Sequence, residues 1–209
     1  MEKIKMFRIC WERGHSENPK KLSREDEIAD AFSKELNNQI LAERAEGKYV
    51  SFIMPSFEQY ADKNLALMEK IYYANGKGSA NGVAICDCFI SIHCDWTGNE
   101  NPNGFKIFYN QVNTAIDKLL AERSKKLAET MAHSLITNGF SFWGKQAIAE
   151  DHLAGCGNLA VCSYTKMPSV LIELGFLSNK KDAKDLEDEE YRKKYCKAMI
   201  EGIKCFSLI

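Results

Sequence analysis

The sequence predicts an α/β fold: a single domain over residues 1–209, in three layers, with a mixed, mostly parallel central sheet flanked by helices. Three observations lead there. Apolar runs of strand length alternate with helical periodicity along the whole chain. No Pro/Ser-rich linker, internal repeat or low-complexity tract divides it. With 209 residues, 45% of them hydrophobic and 27% charged, the chain can bury one large core.

Lys5 to Cys10 reads as the first strand. Ser23 is the expected N-cap of a helix with Glu25 and Asp26 in its first turn and apolar residues at Ile28, Ala29, Phe32, Leu36, Ile40 and Leu41, ending near Gly47. Tyr49 to Met54 is a short strand, and Ser56 is expected to cap a second helix reaching about Tyr73. A glycine-bearing segment leads into the central strand, Ile85 to His93, and Phe105 to Tyr109 is the next. The longest helix is expected to start near Asn110, carry Val112, Ile116, Leu119, Leu120, Leu127, Met131 and Leu135 on one side, and stop at Asn138-Gly139. Phe140 to Thr165 gives no clear pattern. Ser169 to Leu174 reads as a buried strand, and helices around Lys180–Leu186 and Glu189–Phe206 close the chain.

The 28 basic and 29 acidic residues leave a net charge of -1. Such a chain has no long-range pull on polyanions, so nucleic acid is not an expected partner. The longest apolar stretch, Val83 to His93, is interrupted by Asp87, and no membrane insertion is expected. Met1 to Cys10 carries charges at positions 2, 3, 5 and 8 and lacks the apolar core of a signal peptide. The eight cysteines show no spacing of a disulfide scaffold, so most are expected as buried thiols. Cys86 and Cys88 are expected to share a strand face beside Asp87, as core rather than as a metal site.

Metal-competent residues fall at the C-terminal ends of three predicted strands, the edge where open α/β sheets bind ligands. They are His15 after Gly14, His93, and Glu173 within Ser169-Val170-Leu171-Ile172-Glu173-Leu174. An ionisable group in an apolar run is costly unless paired, neutral or metal-bound. A hydrolytic zinc site needs about three protein ligands, commonly two His and a carboxylate. Helix phase favours Glu25 as that carboxylate, because positions 7, 11 and 15 further on are Phe32, Leu36 and Ile40. Glu27 remains the alternative; its corresponding positions are Lys34, Asn38 and Ala42. For either, the simpler role is to complement the helix dipole. His133 and His152 are expected on the surface, and Trp11, Trp96 and Trp143 either stack on a ligand or pack in the core.

These residues resemble the zinc-dependent N-acetylmuramoyl-L-alanine amidases shared by bacterial cell-wall hydrolases and phage endolysins. Glu12-Arg13-Gly14-His15 is similar to the family's Asp-Pro-Gly-His. Ser91-Ile92-His93-Cys94-Asp95 resembles Ser-Ile-His-Ala-Asn, and Gly104 to Tyr109 resembles the Gly-led strand that follows. Pro168 to Asn179 matches Pro-Ala-Val-Leu-Val-Glu-Xaa-Gly-Phe-Leu-Ser-Asn almost throughout. The family's Ala-Asn pair corresponds to Ala74-Asn75 or to Ala80-Asn81, the latter being better spaced. Glu12 and Arg13 depart from Asp-Pro, and Asp95 replaces Asn beside the site.

The resemblance implies a phosphorylase/hydrolase-like fold, Zn²⁺ bound by His15, Glu25 and His93, and Glu173 as the catalytic carboxylate. The implied substrate is the amide joining N-acetylmuramic acid to L-Ala in peptidoglycan, cleaved at the cell wall by a chain expected to be monomeric. Asp95, Glu12 and Trp143-Gly144-Lys145 are candidates for supporting or contacting roles. Two alternatives stand beside this reading. One is a cell-wall binding or regulatory module that has lost its chemistry. The other is a zinc carboxypeptidase-like peptidase, in which Arg13 would hold a terminal carboxylate.

Overall fold

The computed structural model describes residues 6–14, 23–43, 48–57, 62–77, 82–111 and 118–209. Its elements in chain order are β1 (Phe7–Arg13), α1 (Arg24–Ala42), β2 (Tyr49–Ile53), α2 (Lys63–Ala74), β3 (Cys88–Asp95), β4 (Lys106–Tyr109), α3 (Lys118–Thr137), β5 (Ile148–Glu150), α4 (Ala160–Ser163), β6 (Ser169–Phe176), α5 (Lys180–Glu187) and α6 (Glu189–Ser207). The strands form one sheet in the order β2-β1-β3-β6-β4-β5. Every pairing is parallel except β4 with β6. This is the expected mixed, mostly parallel sheet.

Strands covered on both faces read as near-continuous apolar runs, and β3 and β6 at the centre of the sheet do so. On one face Trp11, Ile90, Ile92, Val170 and Ile172 pack against Phe32 and Leu36 of α1, Met131 of α3 and Met199 of α6. On the other, Cys10, Phe89, Phe108 and Leu171 pack against Ile71 and Ala74 of α2 and Val161 of α4. Helices on both faces make the three layers.

α1 starts as expected. The Ser23 hydroxyl accepts from the Asp26 N–H, and the Asp26 carboxylate accepts from the Ser23 N–H, a closed capping box. Its stripe of Phe32, Leu36 and Ile40 is fully buried, which fixes the rotation of the helix and hence the direction of its first turn.

Elsewhere the boundaries move. Asp62, not Ser56, caps α2; its carboxylate takes the Asn64 and Leu65 N–H groups. α3 begins at Lys118 among the described residues, and Val112 and Ile116 lie outside them. Leu119 is exposed, whereas Leu127, Met131 and Leu135 are buried. Gly139, at φ 88, ends α3 as expected. β5 and α4 give no periodic signal at three and four residues. Cys86 and Cys88 do not share a face: Cys86 lies ahead of β3 and packs in the α2 layer, while Cys88 faces α1, α3 and α6. All eight cysteines are free thiols, and only Cys156 and Cys205 are exposed. Among the described residues no helix is long and apolar enough to cross a membrane.

Candidate active site

The sheet order sets four residues side by side at its C-terminal edge. The Gly14 N–H donates to the Ile92 carbonyl at 2.9 Å, which brings Gly14 level with His93. His93 pairs in register with Glu173, and Glu173 with Lys106. Gly14, His93, Glu173 and Lys106 thus form a row across β1, β3, β6 and β4, on the face covered by α2 and α4. Gly14 lies flat against the imidazole; a Cβ there would stand 2.2 Å from the His93 ring, so only glycine fits. Beyond Glu173 the register slips, Asp95 pairing with Phe176, and this irregularity in β6 sits where the row meets solvent.

Glu25, in the first turn of α1, reaches over the sheet edge to this row. Its Oε1 lies 3.1 Å from His93 Nδ1 and accepts the Cys94 N–H at 3.2 Å. Glu27 is exposed. Helix phase was therefore the informative signal: the buried stripe that begins seven residues after Glu25 turns Glu25 toward the sheet and Glu27 away from it. His15 lies outside the described residues, as does Ala80-Asn81. Among the described residues no three His, Cys, Asp or Glu side chains are placed to hold a metal ion.

Glu173 is set into β6 with its Oε2 buried and without a hydrogen-bond partner. Burial pushes its carboxyl up to about 7; His93 pulls it down, and the charges of Asp95 and Glu25 push it further up. Burial lowers the basicity of His93, but the hydrogen bond with Glu25 and the charges of Glu173 and Glu12 outweigh it, so the His93 pKa is raised. Asp95 is raised by its own burial. The edge therefore gathers carboxylates around one imidazole, a concentration of negative charge suited to a cation.

Beneath the row lies a buried ion pair that sequence reading did not find. Lys70 of α2 donates to Glu12 Oε1 at 2.8 Å, with the side chains only 1% and 2% exposed, and the Ser91 hydroxyl donates to Glu12 Oε2. Glu12 is thereby withdrawn from any contact with a ligand. Arg13, on the opposite face, is held by Asp30 at 2.6 Å and is not available to a terminal carboxylate. Trp11 is core, whereas Trp96 is 69% exposed at the end of β3 and Trp143 stands half-open beside Lys106. His133 and His152 are on the surface, as expected. Asn75 caps α2 and pins the α4–β6 loop, accepting the Lys166 N–H at 2.7 Å and donating to the Tyr164 carbonyl at 2.8 Å.

The family model described as N-acetylmuramoyl-L-alanine amidase matches residues 11–205, an interval that holds Glu25, His93 and Glu173. The chain belongs to this amidase family. Among its relatives, the N-acetylmuramoyl-L-alanine amidase LytC of Bacillus subtilis is 31% identical over 173 residues, covering 82% of this chain and 30% of the relative. An uncharacterized cell wall amidase of Bacillus anthracis is 36% identical over 117 residues, 56% of this chain and 20% of the relative. The chain thus spans less than a third of either relative's length. The crystal structure of the N-acetylmuramoyl-L-alanine amidase from Clostridium difficile 630 superposes with a TM-score of 0.74 at 18% identity, over 97% of each chain. The catalytic domain of the CD27L endolysin does so at 0.67 and 22%, over 96% of this chain and 98% of its own. These two likenesses place the chain in the amidase fold.

Proposed function

We propose that residues 1–209 form one catalytic domain, a zinc-dependent amidase acting at the cell wall on the amide between the lactyl group of N-acetylmuramic acid and L-Ala of peptidoglycan. The observation that carries this reading is the pairing of Glu25 with His93 beside the half-buried Glu173, whose Oε2 is shielded and has no partner, in a member of this family.

The described residues fit a zinc ion. A carboxylate and an imidazole stand together at a strand end, Gly14 puts no side chain of its own against the imidazole, and excess negative charge surrounds them. Imidazole and carboxylate are zinc's usual hydrolytic ligands, with His15 completing the set of three. Glu25, His93 and His15 would hold the ion, which would supply Lewis acidity toward the scissile carbonyl and toward water. Glu173 takes the proton from the attacking water on its unpaired Oε2 and delivers it to the departing L-Ala nitrogen. In the metal-free chain the shielding of Glu173 from solvent raises its proton affinity to about 7, the direction a group that takes up and returns a proton requires. The Cys94 N–H donates to Glu25 Oε1 and so holds that carboxylate beside the His93 ring.

A test is digestion of purified peptidoglycan by the zinc-loaded chain, followed by chelation and zinc replacement. Hydrolysis is expected to stop on chelation and return with zinc; hydrolysis indifferent to chelation contradicts the reading.

The pH profile carries a separate expectation. Glu173 acts as base only when ionised, so hydrolysis falls as pH drops through its pKa. Asp95 raises that pKa, so Asp95→Asn lowers it and moves the acid limb of kcat/KM to lower pH. An acid limb that stays in place in Asp95→Asn argues against Glu173 as the titrating base.

A further inference from the structure

Lys106 is the one cation in the row that carries Glu173. It is the register partner of Glu173 across the antiparallel β4–β6 pair, on the same face, and it is buried. Its position is fixed from several sides. The Asp182 carboxylate of α5 accepts the N–H groups of both Gly104 and Phe176, tying the approach to β4 to the end of β6. The Lys106 ammonium donates to the carbonyls of Trp143, at 3.4 Å, and Gln146, and sits 5.9 Å from the centre of the Trp143 ring.

Those partners are neutral. Among the described residues no carboxylate pairs with Lys106, and burial lowers its pKa. A buried ammonium without a counter-ion is costly, and the cost is relieved by an anion. Lys106 also lines a cavity of about 900 Å³ that opens at Asp95 and is bordered by Lys125, Lys145, Trp143 and Glu150. Three lysines, Lys106, Lys125 and Lys145, and two carboxylates, Asp95 and Glu150, line this cavity.

We propose that Lys106 is a specificity-determining residue that holds a carboxylate of the peptide half of the substrate, in the cavity between β4 and the Trp143–Gln146 loop. The identity of this ligand rests on the amidase reading above. Neutral N-acetylated sugars have no use for a cation, whereas the stem peptide carries carboxylates, so the cavity side of Glu173 takes the peptide and the Glu25–His93 side takes the muramyl group. Two interstrand spacings separate the backbones of His93 and Lys106, roughly 10 Å, or about three residues of extended peptide. The carboxylate therefore belongs to one of the first residues after the cleaved amide. This orientation also sets the departing L-Ala nitrogen beside Glu173 on the side from which it must receive a proton.

The test is titration calorimetry of the zinc-loaded protein with two dipeptides whose γ-carboxyl is blocked as the methylamide, L-Ala-D-isoGlu with its α-carboxylate free and L-Ala-D-isoGln with a carboxamide in its place. The wild-type chain is expected to bind the carboxylate form roughly tenfold more tightly, the strength of a charge-assisted hydrogen bond. In Lys106→Met the ratio falls toward one, and in Lys106→Arg the preference is kept. Should Lys106→Met fail to fold, Lys106→Gln carries the same comparison. Equal wild-type affinities, or a preference that persists in the uncharged variants, would overturn the proposal. Wall digestion measured alongside separates the two readings: hydrolysis without charge preference removes only the role of Lys106, and charge preference without hydrolysis removes only the amidase reading.

Discussion

Glutamine at position 173 is expected to lower the rate of amide hydrolysis by roughly 10²–10⁴-fold, the usual contribution of a positioned acid–base group, while leaving zinc content unchanged. The geometry gives the reason. Glu173 Oε2 is buried and has no partner, so its proton exchange is with bound molecules rather than with the protein. Glutamine keeps the shape and loses the proton chemistry.

A second readout of the same variant is its stability. The Glu173 pKa is raised from 4.5 to about 7, so the folded state binds more protons than the unfolded one between those values, and stability falls as pH rises through that window. Above pH 7 the ionised carboxylate costs the metal-free protein on the order of 3 kcal/mol. Chelated Glu173→Gln is therefore expected to be more stable than chelated wild type at pH 8, by up to that amount in denaturant unfolding, and to show no such gain at pH 4. A variant that keeps full activity, or that is destabilised at pH 8, is incompatible with a base whose Oε2 is shielded from solvent and unpartnered.

Lys70→Met is expected to destabilise the fold by about 3–5 kcal/mol, because it leaves the Glu12 carboxylate buried without its cation. The pair is almost wholly excluded from water and is joined to Ser91, two residues before His93. Three elements meet in it: α2, β1 and β3. Converting Glu12 to Gln in the same chain removes the stranded charge and is expected to restore most of the loss, since a neutral amide still accepts from Ser91. The coupling between the two substitutions, measured by guanidinium unfolding of both single variants and the double variant, should exceed 1.5 kcal/mol. Additive effects would mean that the pair contributes no more than a surface contact.

The contrast between these two sites shows what a linear sequence can reveal. Glu173 stands out locally, as a lone acid in an apolar strand, and Glu25 was distinguished from Glu27 by the phase of one helix. Both inferences use periodicities that span a few turns or one strand. The Lys70–Glu12 pair joins positions 58 residues apart. Nothing in the sequence around Lys70 marks it, and only the docking of α2 on the sheet makes it buried. Lys106 was passed over for the same reason. It belongs to a short strand resembling the family's, and its meaning appears only when the antiparallel pairing of β4 with β6 sets it opposite Glu173.

The fold was legible where elements are long and well capped, as with Ser23 and Asp26 at the start of α1. It was not legible at β5, whose three residues are held by pairing with β4 rather than by any pattern of their own. The start of α2 was misplaced because Ser56 and Asp62 are both good caps, and local sequence does not say where the chain leaves β2 for the helix.

The most direct measurement of the central claim is end-group analysis of purified peptidoglycan after digestion by the zinc-loaded chain. Cleavage of the muramyl amide is expected to release new L-Ala amino termini in step with the fall in turbidity, with no new reducing sugar ends and no free carboxy-terminal amino acids. Reducing ends, amino termini other than L-Ala, or an undigested wall at full zinc occupancy would contradict it.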